Sequence, residues 1–186
     1  MNFARNSWQW LAAALVAVPV AASAQQAGAA PAMGASAPYP LDVVPEKMPF
    51  ATPYGAPIPL AKAQAAIQAA MAEASKRGWA MNIAVVDSGT NLVAMVRMDG
   101  AQLASIAISE HKARASVKYR RPTKVFEEGI QKSGNVYTLT LDDIVASRGG
   151  IPLVEEGKLI GAIGCSGGTG SQDEVACQAG AATINK

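Results

Sequence analysis

Between residues 31 and 59 prolines recur at Pro31, Pro38, Pro40, Pro45, Pro49, Pro53, Pro57 and Pro59. Each proline removes a backbone donor and fixes φ, so the stretch cannot hold a regular helix. Whatever this chain folds into must therefore be built from residues 58–186, with 25–57 as a Pro/Ala-rich linker or arm. Met48, Phe50 and Tyr54 near the end of that arm predict packing on the domain or on a neighbour. Residues 1–24 have the pattern of a signal peptide. Arg5 precedes the apolar stretch Leu11 to Ala22, and Ala22-Ser23-Ala24 provides small residues for cleavage before Gln25. A membrane anchor needs about 20 apolar residues, more than this run offers. The expectation is a periplasmic or secreted protein with no membrane span after cleavage.

Hydrophobic spacing orders the domain. Leu60, Ala63, Ile67, Ala70, Met71 and Ala74 recur at helical intervals, and Gly78 supplies the stop. Met81–Val86 and Leu92–Met98 read as two strands around the turn residues 87–91. A long helix is predicted from Gln102 to Lys118, with Leu103, Ile106, Ala107, Ala113 and Val117 inward, and a short one from Pro122 to Gln131. A second hairpin joins Ile151–Val154 to Lys158–Cys165, and a helix over Gln172–Ile184 closes the chain. Hairpins flanked by helices specify an α+β class with an antiparallel sheet, in the order helix, strand, strand, helix, helix, strands, helix.

Composition narrows the function. A net charge of +2 without clustered basic and aromatic residues is not the footprint of a nucleic-acid binder. One histidine and two cysteines exclude a structural zinc site with four Cys or His ligands from this chain. An oxidising compartment permits a Cys165–Cys177 disulfide, and two buried free thiols are the other reading.

Several residues are chemically conspicuous. Gly167, Gly168, Thr169 and Gly170 lie between strand and helix, where backbone amides and the helix N-terminus favour an anion. The lysine of a phosphate loop is missing, and Asp173 beside the loop opposes an anion. A tight turn capped by Ser171 or Asp173 is the structural alternative. His111, the lone histidine, stands at the margin of the central helix's buried face and is suited to iron. Arg97, Lys112, Arg114, Lys118, Arg120 and Arg121 give the surroundings of that helix a local basic character able to hold carboxylates, a solvated helix end with cations complementing the dipole being the other reading. Met81, Met95 and Met98, at strand positions, read as core.

Val85-Val86-Asp87 with Gly89, Leu92-Val93-Ala94, Arg97-Met98-Asp99-Gly100-Ala101, Lys112-Ala113, Pro122-Thr123, Gly149-Gly150-Ile151-Pro152-Leu153 and the block from Ile160 to Asp173 resemble the GlcG/HbpS-like proteins. The resemblance spans about 60–184. It implies a profilin-like fold and a homo-oligomer of up to eight subunits. Some members bind haem and the family is labelled haem-binding or haem-degrading; others are encoded with glycolate or propanediol enzymes. A related domain ends the PduO-type cobalamin adenosyltransferases. Haem-binding extracellular members often carry Lys-Ala-x-Thr-Ala in the central helix, the Thr being associated with haem iron. Here Ala115 occupies that position, and His111, one helical turn earlier, is the alternative ligand.

The leading expectation is an exported, oligomeric protein that binds haem. Its iron would be met by His111 and its propionates by Lys112, Arg114 or Arg121. The helix around Ala115 and the Gly167–Gly170 loop would edge the pocket. The alternative is a binding protein or enzyme for a 2-hydroxy acid, with Arg97 or Lys112 holding the carboxylate and Asp99 or Asp173 doing acid–base work. A third is an oligomeric scaffold or sensor partner.

Overall fold

The computed structural model describes residues 44–185. The predicted signal peptide and the first part of the predicted arm lie outside them. Helix α1 (Leu60–Lys76) precedes the hairpin β1 (Asn82–Asp87) and β2 (Leu92–Arg97). Then come α2 (Ala104–Lys118), α3 (Lys124–Ser133), a 3-10 turn (Val136–Thr140), β3 (Gly150–Glu155), β4 (Lys158–Ser166) and α4 (Gly170–Ala181). The four strands form one antiparallel sheet in the order β2-β1-β4-β3. The α+β class and the order of elements are those expected from the sequence. No helix among the described residues is long and apolar enough to cross a membrane.

Alternation along the strands gives the sheet two unlike faces. Ile83 opposite Cys165 and Val85 opposite Ile163 face α1 and α4. There they pack with the alanine stripe Ala63, Ala66, Ala70 and Ala74 and with Ala176 and Ala181. Burying an Ile or Val side chain of this kind stabilises by about 1.5–3 kcal/mol. Cys165 and Cys177 are joined in a disulfide with Cα atoms 5.6 Å apart, which ties β4 to α4. Met81 is fully buried in the same cluster and Met98 packs on it.

The other face carries Ala84 opposite Gly164, Val86 opposite Ala162, and Gly150 opposite Gly164. Here α2 lies almost on the backbone. A Cβ on Gly164 would collide with the Ser109 carbonyl, and one on Gly150 with the Lys112 carbonyl. This close approach corrects the expected inner face of α2. Its buried residues are Ser105, Ser109, Lys112, Ala113, Ala115, Ser116 and Val117, while Leu103 is exposed and Ala107 with it. Opposite the glycines the small side chains Ser109 and Ala113 lie against the sheet, and Val117 packs with Val86 and Leu159.

The end of the arm packs on the domain. β1 stops at Asp87, opposite Gly161, and the arm continues along β4 where β1 leaves off. Leu159 N donates to the Pro53 carbonyl at 2.8 Å, and Gly55 N and Ile58 N donate to the carbonyls of Leu159 and Ile160 at 2.8 and 2.9 Å. The Tyr54 hydroxyl donates to the Val117 and Lys118 carbonyls at 3.0 and 3.2 Å, at the end of α2. Carbonyls at a helix C-terminus lack intrahelical partners, so this tyrosine supplies a donor where one is needed.

Candidate functional site

The glycine-rich loop between β4 and α4 is closed on its own side chains. Thr169 caps α4, its hydroxyl accepting from Gln172 N at 3.4 Å while Gln172 Oε1 accepts from Thr169 N at 2.8 Å. This reciprocal pairing satisfies two amides at the helix start. The cap is therefore Thr169, not Ser171 or Asp173, because α4 begins at Gly170, earlier than the hydrophobic spacing implied. Asp173 turns back and accepts from Gly168 N at 3.0 Å through Oδ1. Its Oδ2 accepts from Lys112 Nζ at 2.7 Å, and that ammonium also donates to the Cys165 carbonyl at 3.2 Å.

Both partners of this ion pair are buried, with side-chain exposures of 1% and 3%. Burial pushes the Asp173 carboxyl above its ordinary value, and the Lys112 ammonium and the Gly168 and Gly167 amides oppose the shift. The pair links α2, the end of β4 and the start of α4 through one contact. Gly149 is needed beside it: its φ is +117°, and a Cβ there would stand 2.8 Å from that of Asp173 and 3.2 Å from Lys112 Nζ.

These contacts correct two expectations. Lys112 does not face solvent to hold a propionate, because its charge is spent on Asp173. The amides of Gly168 and Thr169 are not offered to an external anion, because a carboxylate and an amide of α4 already occupy them. For the hydroxy-acid alternative, Lys112 as carboxylate holder and Asp173 as acid–base group are likewise taken up by their mutual ion pair, while Arg97, the last residue of β2, and Asp99, just after it, are exposed. Gly167 and Gly170 are half-buried; a Cβ on Gly167 would meet the Ala80 carbonyl, so it serves close packing.

The outward side of α2 is different. His111 is exposed, with Arg114 and Lys118 on following turns. Arg114 is engaged by Glu110 and by the Thr90 carbonyl, Lys118 by Asp143. Neither neighbour takes up the imidazole. The Lys118 hydrogen bond and charge hold the Asp143 carboxyl below its ordinary value, with His111 and Arg114 adding to the effect. So His111, Arg114, Lys118 and Asp143 form one electrostatic group on the surface. Ala115, one turn further along, does not join it, because the residue is fully buried.

The 3-10 turn leads into Asp143 and exposes Val136 and Leu139 at 63% and 65%. Neither was singled out by sequence reasoning; a five-residue 3-10 turn has no long hydrophobic period to detect. Arg121 sits beyond the end of α2, its guanidinium 3.7 Å from the Phe50 ring. It is separate from the Lys112–Asp173 pair.

Comparison with known proteins agrees with the resemblance read from the sequence. The family model described as "Haem degrading protein HbpS-like" matches residues 58–182. Protein GlcG of Escherichia coli K12 is 40% identical over 104 residues, covering 56% of this chain and 77% of GlcG. The crystal structure of HbpS superposes with a TM-score of 0.66 at 28% identity, covering 71% of this chain and 93% of that one. The crystal structure of a PduOC:haem complex superposes with a TM-score of 0.63 at 25% identity, covering 69% of this chain and 96% of that one.

Proposed function

We propose, from the premise that this chain belongs to the HbpS-like family, that it is an exported haem-binding protein acting in haem sequestration, sensing or degradation. The observation that carries the proposal is the lone imidazole of His111, held on the exposed side of α2 without a competing side-chain partner from Arg114 or Lys118. A neutral imidazole is a good iron ligand. Ala115, at the position where relatives often carry Thr, has no donor atom and is buried, so the donor set favours His111. Arg114 and Lys118 give cations for its propionates.

The bound group would supply the redox chemistry of iron; the chain's part is to bind and orient it. Glu110 and Asp143 pair with Arg114 and Lys118 on the helix side that carries His111. Exchange of those carboxylates for propionates would keep the cations paired. The haem complex of the similar PduOC structure supports the reading. Export is supported by the leader pattern of residues 1–24 and by the Cys165–Cys177 disulfide. Self-association is supported by the exposed Leu103, Val136 and Leu139.

Titrating the purified protein with haemin tests this. A saturable Soret shift is expected, with an altered spectrum in His111→Ala. A flat titration overturns haem binding, and an unchanged spectrum in His111→Ala overturns the ligand assignment. The recovered protein should begin at Gln25 outside the cytoplasm; an uncut cytoplasmic chain overturns export.

A further inference from the structure

We propose that a second site, in the cavity between the end of α2, α3 and the 3-10 turn, binds a small carboxylic acid that also carries a hydroxyl or N–H donor. The cavity has a volume of about 280 Å³ and is lined by Arg121, Asn135, Tyr137, Val125, Phe126 and Leu141, among others. Ligand pockets usually span about 300–1,000 Å³, so this one suits a ring-sized molecule and cannot enclose four linked pyrroles.

Arg121 enters the cavity as a cation without a counter-charge. Its Nε donates to the Tyr119 carbonyl at 2.9 Å, which fixes the guanidinium plane. The Phe50 ring lies 3.7 Å from the guanidinium carbon and the Phe126 ring 5.6 Å from it. Arg114 and Arg148 are neutralised by glutamates, whereas no carboxylate among the described residues pairs with Arg121. Its two terminal nitrogens are the fork that binds a carboxylate through two parallel hydrogen bonds. Partial burial lowers its pKa from the ordinary guanidinium value, as expected for a cation that has lost water and gained no anion.

Asn135 supplies the second half of the recognition. Its Oδ1 is buried and has no hydrogen-bond partner. A buried acceptor left unpaired is costly, and a ligand hydroxyl or N–H would remove that cost. The floor of the cavity is open because α3 has a glycine at its centre. A Cβ on Gly129 would meet Asn135 at 3.7 and 3.8 Å, an ordinary contact with no clash. Glycine weakens a helix relative to alanine. Its presence is not forced by backbone conformation or crowding; it leaves space beside the Asn135 side chain. Val125, Phe126 and Leu141 then supply apolar walls for the body of the acid.

A haem propionate presents the same carboxylate, so the experiment separates the two sources. The purified protein is titrated calorimetrically with 3-hydroxybenzoate, 4-hydroxybenzoate and mandelate, with 4-hydroxybenzamide as the uncharged control. Saturable binding of at least one acid is expected, weakened about tenfold or more by Arg121→Gln, with the amide weaker to a similar degree. Gly129→Leu should fill the cavity and abolish acid binding while the protein still melts cooperatively. Haemin affinity should be the same in both variants and the parent. The proposal is overturned if none of the acids binds, or if acid affinity survives Arg121→Gln or Gly129→Leu. It is also overturned if both variants lose haemin instead, which would make the cavity a propionate socket.

Discussion

Ile163 and Gly164 are consecutive residues of β4, yet they belong to two differently built halves of the molecule. Ile163 points into the apolar cluster under α1 and α4, where its neighbours are Val85, Ile151 and the helix alanines. Gly164 points at α2, where its lack of a side chain lets the Ser109 carbonyl come close. On the first face, stability comes from apolar area taken out of water. On the second, a smaller apolar cluster around Val86, Val117 and Leu159 is joined by close packing of small groups and by one buried ion pair whose members must satisfy each other. The faces should therefore respond oppositely to mutation: the apolar side graded with volume, the α2 side steep and specific to the partner.

The largest effect is expected at Lys112. Lys112→Met leaves the Asp173 carboxylate buried without its cation and should cost about 3–5 kcal/mol in denaturant unfolding. Adding Asp173→Asn keeps an oxygen for Gly168 N and removes the orphan charge, so the double variant should be more stable than Lys112→Met alone. If it is not, the pair is not the organising contact of this face. Replacing both cysteines by alanine should cost about 3 kcal/mol, the value expected for a short closed loop. Their separation is 12 residues. An unchanged midpoint under oxidising conditions would show that the bond does not form.

The direct comparison comes next. Gly164→Ala should cost about 2–3 kcal/mol, because a methyl must push α2 off the sheet. Ile163→Val, which removes a methylene from the other face, should cost about 1 kcal/mol. Equal costs would erase the distinction between the two faces. The smallest effect concerns the exposed group around His111. Lys118→Ala should move the Asp143 titration upward toward the ordinary carboxylate value, followed by carboxyl NMR. A lowered folded pKa contributes stability above the unfolded value that is lost as pH falls through the folded one. At so exposed a site that contribution is small, so the titration and not the melting temperature is the measurement.

The apolar half was legible in the sequence because its signal is periodic. Ala63, Ile67, Ala70 and Ala74 mark a helix face, and the alternation of Ile83 and Val85 marks a strand. The α2 half was not. Leu103, Ile106 and Ala107 resembled an inner face, but Leu103 and Ala107 are exposed and Ser105, Ser109 and Ser116 are buried instead. A serine at helical spacing looks like a solvated residue until the surface opposite it is known to be glycine. The surface group around His111 was partly visible, since the histidine and the cations share one helix. The cavity at Arg121 was visible only as an arginine, because Asn135 and Gly129 are ordinary residues until α3 brings them together.

The class, the order of the elements and the family can be read from the residues alone, because local spacing and contiguous motif blocks carry that information without knowledge of the partner. What the conspicuous residues do depends on the elements that fold against them. Lys112 and Asp173 stand 61 residues apart. A charge can be taken from water only when its counter-charge arrives from another element, and no local pattern announces that arrival. The same contact closed the glycine loop and bound its amides, while among the described residues His111 and Arg121 have no carboxylate partner.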